Sequence, residues 1–449
     1  MNNAPEKPAA ASGADKPAAR KGLLAISPLI LFVVAYIGLS LAAGDISRVP
    51  ISVVFLLASI YAVGITPGLS LADRVRVYGR GAGATKVMFM IWIFLLAGAF
   101  ASTASAMGCI SQTVNIILKL LPSNMIYVSL FVAGCFISMA TGSGMGSIAA
   151  LAPIALGVAQ QTGSSIPFIS ALVVCGAMFG DNLSFISDTT IIATTTQGCE
   201  LKDKFRANLR IVALPFIAML VIYVFSGRGM ASPEITEAIS WWKILPYLVV
   251  LALAICGVDV LITLLAGTVV AGVQGLVTGS FDLTGWINAI GGGLDGMSSL
   301  VLIVLMASGL MALIQHNGGI DYLVNVCTKF VRGRKSAEAC IALLSGLMCA
   351  FTANNTIAIM SCSTVVKNLA DRYGVDPRRA ASLLDISSCI ILEVIPYSAH
   401  LLCCAALTGI SAAGMIPFMY YPFLLAAALV VSILVSRTPA AAAASKRGK

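Results

Sequence analysis

The sequence predicts an all-α polytopic membrane protein. Hydrophobic residues make up 59% of the 449 residues and charged residues only 10%, and the mean hydropathy is +0.96. A soluble domain carries about 25% charged residues. The apolar residues lie in long runs, whereas a transmembrane β-barrel has short alternating segments. The formal charge of +9 does not indicate nucleic-acid binding, because much of it lies in the chain ends and short loops.

Ten apolar runs are candidate spans, for which about 20 residues are needed. They are 24–43, 50–68, 86–106, 166–198, 207–226, 241–258, 260–279, 296–315, 378–410 and 413–436. Two of them, 166–198 and 378–410, are too long for one span and have polar residues in the middle, which predicts broken helices. The segments 124–160 and 336–370 each have two apolar arms around a small polar centre. We interpret both as re-entrant hairpins, whose tips must be satisfied by protein or water.

The distribution of Lys and Arg orients these segments. Basic residues cluster at 7–21, 74–86, 202–210, 329–335, 367–379 and 437–449. The loops 44–49, 161–165, 227–240 and 280–295 carry few basic residues. Ten spans and two hairpins place every basic cluster in the cytoplasm, together with both chain ends.

The order of these elements recurs in the two parts of the chain. Residues 108–115 resemble 318–325 at an offset of 210, and Gly163 matches Gly374 at an offset of 211. Each half would contain an odd number of spans, so the second half enters the membrane upside down, with Gly163 outside and Gly374 inside. The sequence therefore predicts an inverted repeat of five transmembrane helices plus one re-entrant hairpin in each half, with broken helices at the midplane. This architecture is typical of secondary transporters.

The predicted division of the chain follows from this repeat. It consists of a disordered cytoplasmic tail at 1–22, a first inverted repeat at 23–228, a second inverted repeat at 229–436 and a basic cytoplasmic tail at 437–449.

One polar stretch, residues 180–190, interrupts this apolar background. It contains two carboxylates, Asp181 and Asp188, and a carboxylate at membrane depth costs about 3 kcal/mol on insertion scales. On one continuous helix, Asp181, Ser184 and Asp188 would share a face, with the carboxylates about 10 Å apart along the axis. Such carboxylates usually line an ion or proton path. The alternative is a polar loop at the membrane surface.

The residue types of this stretch and of the hairpin tips suit a sodium ion. A dehydrated sodium ion needs about five or six oxygens, which hydroxyls, amides, backbone carbonyls and a carboxylate can supply. We therefore predict an ion-binding set made of Asp181, Asn182, Ser184, Ser187, Asp188, Thr189, Thr141, Ser143, Asn354 and Asn355. Gly142, Gly144 and Gly146 would permit a tight first tip with close backbone approach. The alternative is that these glycines only pack helices together.

Titratable groups in both halves are candidates for proton coupling. Glu393, Tyr397 and His400 have the spacing i, i+4, i+7 of one helical face, although Pro396 interrupts it. Histidine titrates near about pH 6.5 and can carry protons. We predict proton coupling by four residues, with Asp188 as the main shared carboxylate: Asp188, Asp181, Glu393 and His400. The alternatives are that Glu393 lies at the surface and that His400 is a structural residue held by hydrogen bonds.

The run Gly180 to Thr190 resembles the hallmark of the NhaC-type sodium/proton antiporters of the ion transporter superfamily, and the tip at 141–146 resembles that family's small-residue hairpin. The resemblance covers nearly the whole chain. It implies exchange of cytoplasmic sodium for protons across a bacterial inner membrane. It also implies relatives that exchange sodium-linked organic acids, such as malate for lactate.

Two departures from the family pattern bear on the substrate. Phe185 stands where the family usually has proline, which implies a softer helix break. In the second half, Glu393 is an added carboxylate and Ser398 replaces an amide. Tyr397 and Ser398 are therefore the predicted substrate-binding residues.

The expected function is sodium/proton antiport by alternating access, without enzymatic activity and without a cofactor other than the sodium ion itself. The expected partners are sodium, protons and the lipid bilayer. The sequence does not decide between a monomer and a homodimer. The first alternative is an ion-coupled exchanger or symporter of a small organic anion or amino acid, whose carboxylate would sit on helix N-termini. Asn354, Asn355 and His400 would then contact it.

The remote alternative is an intramembrane aspartyl protease. Its expected Gly-x-Gly-Asp motif is absent, because residues 178–181 read Met-Phe-Gly-Asp. The absence of a Walker-type phosphate loop argues against an ATP-driven pump.

Overall fold

A computed structural model describes residues 15–42, 49–120, 122–185, 187–228, 240–256 and 258–436. Every regular element in these ranges is a helix. Short 3-10 helices lie at Ser123–Met125, Trp241–Ile244 and Ile416–Phe418. The α-helices are α1 (Asp15–Ala42), α2 (Ile51–Ile65), α3 (Leu71–Ala82), α4 (Thr85–Ala106), α5 (Cys109–Leu120), α6 (Ile126–Thr141), α7 (Gly144–Thr162), α8 (Ile166–Leu183), α9 (Asp188–Gln197), α10 (Leu201–Ser226), α11 (Leu245–Ile255), α12 (Val260–Val277), α13 (Leu283–His316), α14 (Gly319–Thr328), α15 (Arg334–Thr352), α16 (Asn355–Tyr373), α17 (Pro377–Leu392), α18 (Ala399–Thr408), α19 (Ala412–Met415) and α20 (Tyr420–Val435).

The apolar helices make the chain a polytopic membrane protein. Among the described residues, seven helices are long and apolar enough to cross a bilayer, or eight if a pair bent by 99° at residues 409–411 counts as one span. Three of the ten predicted spans are short, since α2 has 15 residues, α11 has 11 and α20 has 16. By contrast, α13 has 34 residues and is about 51 Å long. Three helices, α3, α5 and α14, lie outside every predicted span and both predicted hairpins.

Each predicted hairpin segment is a helix–turn–helix whose arms pack against each other. In the first, α6 ends at Gly142 with a φ of 65°, and the side chain of Ser143 accepts a hydrogen bond from a backbone N–H of α7 at 3.0 Å. In the second, α15 ends at Ala353 with a φ of 49°, and Asn354 caps α16 in the same way at 2.9 Å. Ala353 is the one non-glycine residue with positive φ in the described ranges.

The two long polar segments are broken, as predicted. The helix α8 ends at Leu183 and α9 begins at Asp188, while α17 ends at Leu392 and α18 begins at Ala399. Because the helix stops between Asp181 and Asp188, these two carboxylates do not share one continuous helical face. The break forms although Phe185 replaces the expected proline.

The parts that follow each break pack across the molecule. The helix α9 contacts α16 of the second hairpin, and α18 contacts α7 of the first hairpin. Gln197 at the end of α9 donates to the carbonyl of Ser363, and Lys367 donates back to the carbonyl of Gln197 at 3.1 Å. The predicted hairpin at 336–370 therefore supports the broken helix at 166–198, and the predicted hairpin at 124–160 contacts the broken helix at 378–410.

The structure describes only a part of the predicted tails, residues 15–22. The helix α1 begins at Asp15, inside the predicted disordered tail 1–22. Residues 1–14, and the basic tail 437–449, lie outside the described residues.

Candidate functional site

The two helix breaks bring ionisable side chains together in the core. Asp181, in the last turn of α8, is 7% exposed, and its electrostatic neighbours are Asp385, His400, Lys204 and Glu393. The sequence places these five residues on α8, α10, α17, α18 and the break before α18. We call these five side chains the central cluster.

Both hairpin tips border the central cluster. The amide nitrogen of Asn355, at the second tip, lies 3.7 Å from the sulfur of Cys389, which in turn lies 3.9 Å from Asp181 Oδ2. At the first tip, Gly144 lies against His400, because a Cβ on this glycine would be 3.1 Å from His400 Cε1. The structure therefore brings the predicted tips and the predicted carboxylate Asp181 to one place.

Lys204 is the most informative member of the central cluster. Its side chain is fully buried, and its ammonium donates to Thr190 Oγ1 at 2.6 Å and to the Asn182 carbonyl at 3.2 Å. It also forms an ion pair with Asp385 Oδ2 at 2.8 Å. These contacts use all three N–H bonds of the ammonium. The interpretation of every basic residue in 202–210 as a cytoplasmic topology signal is therefore wrong for Lys204.

Asn208 completes the surroundings of this ion pair. Its amide nitrogen donates to the Asn182 carbonyl and to Asp385 Oδ2, both at 2.7 Å. Lys204 and Asn208 are one turn apart on α10, and the stripe of buried residues continues through Ile211 and Val212. This periodicity is the signal in the sequence that could have identified them, because a topology charge has no reason to follow the buried face of a helix.

The hydroxyls of the first break bind one another and the backbone. Ser187 caps α9 and donates to Thr190 Oγ1 at 2.9 Å, and its Oγ lies 3.1 Å from Thr189 Oγ1. Thr190 donates to the carbonyl of Ser184, and Ser184 donates to the carbonyl of Met139 on α6. The break is therefore a closed network of neutral oxygens that leads to the Lys204 ammonium.

Asp188 faces different surroundings from Asp181. It is exposed and lines a cavity of about 790 Å³ between the first hairpin and α12. Ser143 and Asp259 also line this cavity, and most of its other lining is aliphatic or aromatic. Asp188 is the first residue of α9, so it stands between this cavity and the hydroxyl network.

Glu393 and His400 form a buried pair at the second break. Glu393 is 1% exposed, and its Oε1 lies 2.5 Å from His400 Nδ1. The surface alternative for Glu393 is therefore wrong. The helix breaks between these residues, so the pair forms by the return of the chain and not by spacing along one helix.

The remaining predicted site residues lie at the tips and at the second break. Tyr397 donates to the carbonyl of Ala350 on α15 at 2.7 Å, and Ser398 caps α18. Asn354 caps α16, and its amide nitrogen is 3.6 Å from the sulfur of Met90. The side chain of Thr141 lies outside the described residues.

Comparison with known proteins places the chain among antiporters. A model of the "Na+/H+ antiporter family" matches residues 18–228 and 231–437. The chain is 24% identical over 438 residues to an uncharacterized Na+/H+ antiporter of Haemophilus influenzae, with 88% of this chain and 92% of the relative covered. It is 21% identical to the malate-2H+/Na+-lactate antiporter of Bacillus subtilis, covering 80% and 84%. It is 22% identical to the Na+/H+ antiporter NhaC of Alkalihalophilus pseudofirmus, covering 84% and 87%.

We expect that Gly180→Ala lowers the stability of the protein at the contact between α8 and α6. A Cβ at Gly180 would lie 2.5 Å from Ser138 Cβ and 2.7 Å from the Met139 nitrogen, so α8 must move away from α6 and carry Asp181 with it. Overpacking of this kind costs about 1–3 kcal/mol. Thermal unfolding of the purified protein in detergent should show a lower midpoint. The control is Gly64→Ala on α2, where no atom lies within 4 Å of the new Cβ. Equal midpoints for both variants would contradict this account.

Proposed function

The chain belongs to the Na+/H+ antiporter family, and we propose that it exchanges sodium for protons by alternating access at the central cluster. The observation that carries this proposal is the meeting of buried carboxylates with neutral oxygens at two helix breaks. Asp181 supplies charge, and Asn182 and the hydroxyls of Ser184, Ser187 and Thr189 lie beside it along the chain. These are the ligand types that bind sodium in broken helices.

We assign the exchange of ions to Asp188 and Asp181. A carboxylate in an antiporter binds a sodium ion or a proton in turn, so that the two ions compete for one group. Asp188 faces the large cavity, which gives ions a route to it, whereas Asp181 lies among the other charges of the central cluster. Ser143 lines the same cavity as Asp188. Asn355 contacts Cys389, which in turn contacts Asp181.

Three observations support this function over its alternatives. The described residues that line the cavity include the carboxylates of Asp188 and Asp259 but no Lys, Arg or His, which disfavours an organic anion there. The family and its relatives carry transporter names, not enzyme names. An intramembrane aspartyl protease would need two free carboxylates on separate helices, but Asp385, the neighbour of Asp181, is paired with Lys204.

We propose that the fold is an inverted repeat with halves at 23–228 and 229–436. Helix ends and caps that have the same role in each half are 211 positions apart. They are Ser143 and Asn354 at the tips, Ser187 and Ser398 at the breaks, and Gly198 and Gly409 at the helix ends that follow. In both halves a hydroxyl from the break donates to the equivalent carbonyl of the hairpin, Met139 or Ala350. The helices α3 and α4 together correspond to the single helix α13.

The repeat implies that the two hairpins enter from opposite sides of the membrane. The charge of the loops supports a cytoplasmic location for both chain ends and for the base of the second hairpin, because this base is rich in Lys and Arg. The base of the first hairpin, near Gly163, would face outside. The expected surroundings are those of a bacterial inner membrane.

Impermeant thiol labelling should test this orientation. Gln160 and Asp371 are exposed, lie 211 positions apart at the bases of α7 and α16, and can each be replaced by cysteine. Of the twelve native cysteines, only Cys256 is exposed and only Cys199 is half-buried, so replacing these two gives a silent background. We expect labelling of Gln160→Cys from outside and of Asp371→Cys from inside. Labelling of both from one face would contradict the inverted repeat.

The Glu393–His400 pair is the proposed partner of these carboxylates in proton coupling. It is buried, its two members touch, and both are electrostatic neighbours of Asp181. A proton shared by this pair would respond to the charge on Asp181, because charges interact strongly where water is excluded. Tyr397 and Ser398 lie between Glu393 and His400 in the sequence, and we propose that they contact the substrate at the second break.

Asp188→Asn should abolish exchange while the protein still inserts and folds. The amide keeps the size of the side chain but cannot bind a proton or supply the charge that sodium needs. The measurement is sodium-driven proton flux in proteoliposomes, with the unfolding midpoint as a check on folding. The matched control is Asp371→Asn at an exposed position on α16. Near-normal flux in Asp188→Asn would remove Asp188 from the mechanism.

Glu393→Gln should leave some transport but change its pH dependence or the charge moved per cycle. The variant removes one titratable group from the pair and leaves His400 without a carboxylate partner. Flux measured as a function of pH, together with the membrane current, gives both readouts. Glu200→Gln is the control, because Glu200 forms only an exposed pair with Lys202. A wild-type pH profile and wild-type charge movement would show that Glu393 is a bystander.

A further inference from the structure

The surroundings of the Lys204 ammonium have the composition of a monovalent cation site. The ammonium contacts a carboxylate oxygen of Asp385, a hydroxyl oxygen of Thr190 and the backbone carbonyl of Asn182, at 2.6–3.2 Å. Transporters coordinate sodium with the carbonyl oxygens of unwound helices, and carboxylate and carbonyl oxygens are general ligands of hard cations.

Three further oxygens close to this ammonium are buried and have no hydrogen-bond partner among the described residues. They are Asn182 Oδ1, Asn208 Oδ1 and Asp385 Oδ1. The orientation of Asn208 is consistent, because its amide nitrogen faces the two acceptors Asn182 O and Asp385 Oδ2. Buried polar atoms in native proteins are nearly always satisfied. The region therefore holds more acceptors than the Lys204 ammonium can satisfy.

The local electrostatics favour positive charge. Asn182 lies in the last turn of α8, where backbone carbonyls are free of helical partners and the helix dipole is negative. Asp181 adds a second carboxylate beside Asp385. A cation here would contact residues from both proposed halves, since Asn182 and Thr190 belong to the first and Asp385 to the second.

We propose that Asp385, Asn208, Asn182 and Thr190 form a second monovalent cation site, separate from the exchanging carboxylates, and that the Lys204 ammonium is its tethered occupant. Lys204 keeps sodium out of this site and thereby limits the number of ions that the protein binds. The identity of the excluded cation as sodium rests on the proposed function. The existence of the site rests on the contacts of Lys204.

Sodium binding to purified protein tests this inference. The variant Lys204→Met keeps an unbranched side chain of similar length but removes the ammonium. The measurement is equilibrium binding of radioactive sodium, with choline added to keep the ionic strength constant. We expect Lys204→Met to bind one more sodium ion per chain than the wild type. The double variant Lys204→Met/Asp385→Asn should lose this further ion. Lys202→Met, which removes an exposed ammonium on the same helix, should bind as the wild type does.

The outcomes separate this inference from the proposed function. If the wild type binds sodium but Lys204→Met binds no more, or if the further ion persists in the double variant, the second site does not exist. If neither the wild type nor Lys202→Met binds sodium, the proposed function fails instead.

A destabilised Lys204→Met still gives a test. Its unfolding midpoint should rise with sodium and not with choline, and this sodium effect should exceed the effect on the double variant. An equal response of both variants to sodium would contradict the site.

Discussion

The buried ion pair between Lys204 and Asp385 is the interaction on which the arrangement of the core depends. Both side chains have 0% exposure, and a buried charge that loses its partner costs about 3–5 kcal/mol. The pair joins α10 to α17, and through Asn182 and Thr190 it also holds the end of α8 and the start of α9. Without Lys204, Asp181 and Asp385 would face each other as like charges. Lys204 of α10 thus links the first break to α17, the helix that precedes the second break.

Much of the fold could be predicted from the sequence. Long uncharged runs predict helices, and a polar centre inside such a run predicts the breaks at 184–187 and 393–398. These signals are local, because an apolar run must be long enough to cross the bilayer and a polar residue within it must find a partner. The amphipathic helices α3, α5 and α14 do not follow from these signals, because each has only 10–12 residues and is apolar on one face only.

The central cluster could be predicted only in part. Asp181 and the hairpin tips follow from their residue types, but the side chains that meet Asp181 come from distant parts of the chain. Lys204 was missed because counting basic residues assigns every Lys near a span to the cytoplasm, whatever face of the helix it occupies. The spacing of Glu393 and His400 predicts one helical face interrupted at Pro396, and in the structure the return of the chain at this break brings the two side chains together. The separation of Asp181 from Asp188 follows from the same cause.

The length of α13 has a consequence for the lipid around the protein. A straight helix of about 51 Å would fit within a hydrocarbon layer about 30 Å thick only at a tilt of more than 50°, beyond the range of about 0–40° seen for transmembrane helices. One end of α13 must therefore extend into the headgroup region. Because α13 packs along α2, α3 and α4, a change in bilayer thickness acts on several helices of the first half at once. Hydrophobic mismatch would thus act on the protein through α13, which also lines a small pocket with Asn354 and Tyr397.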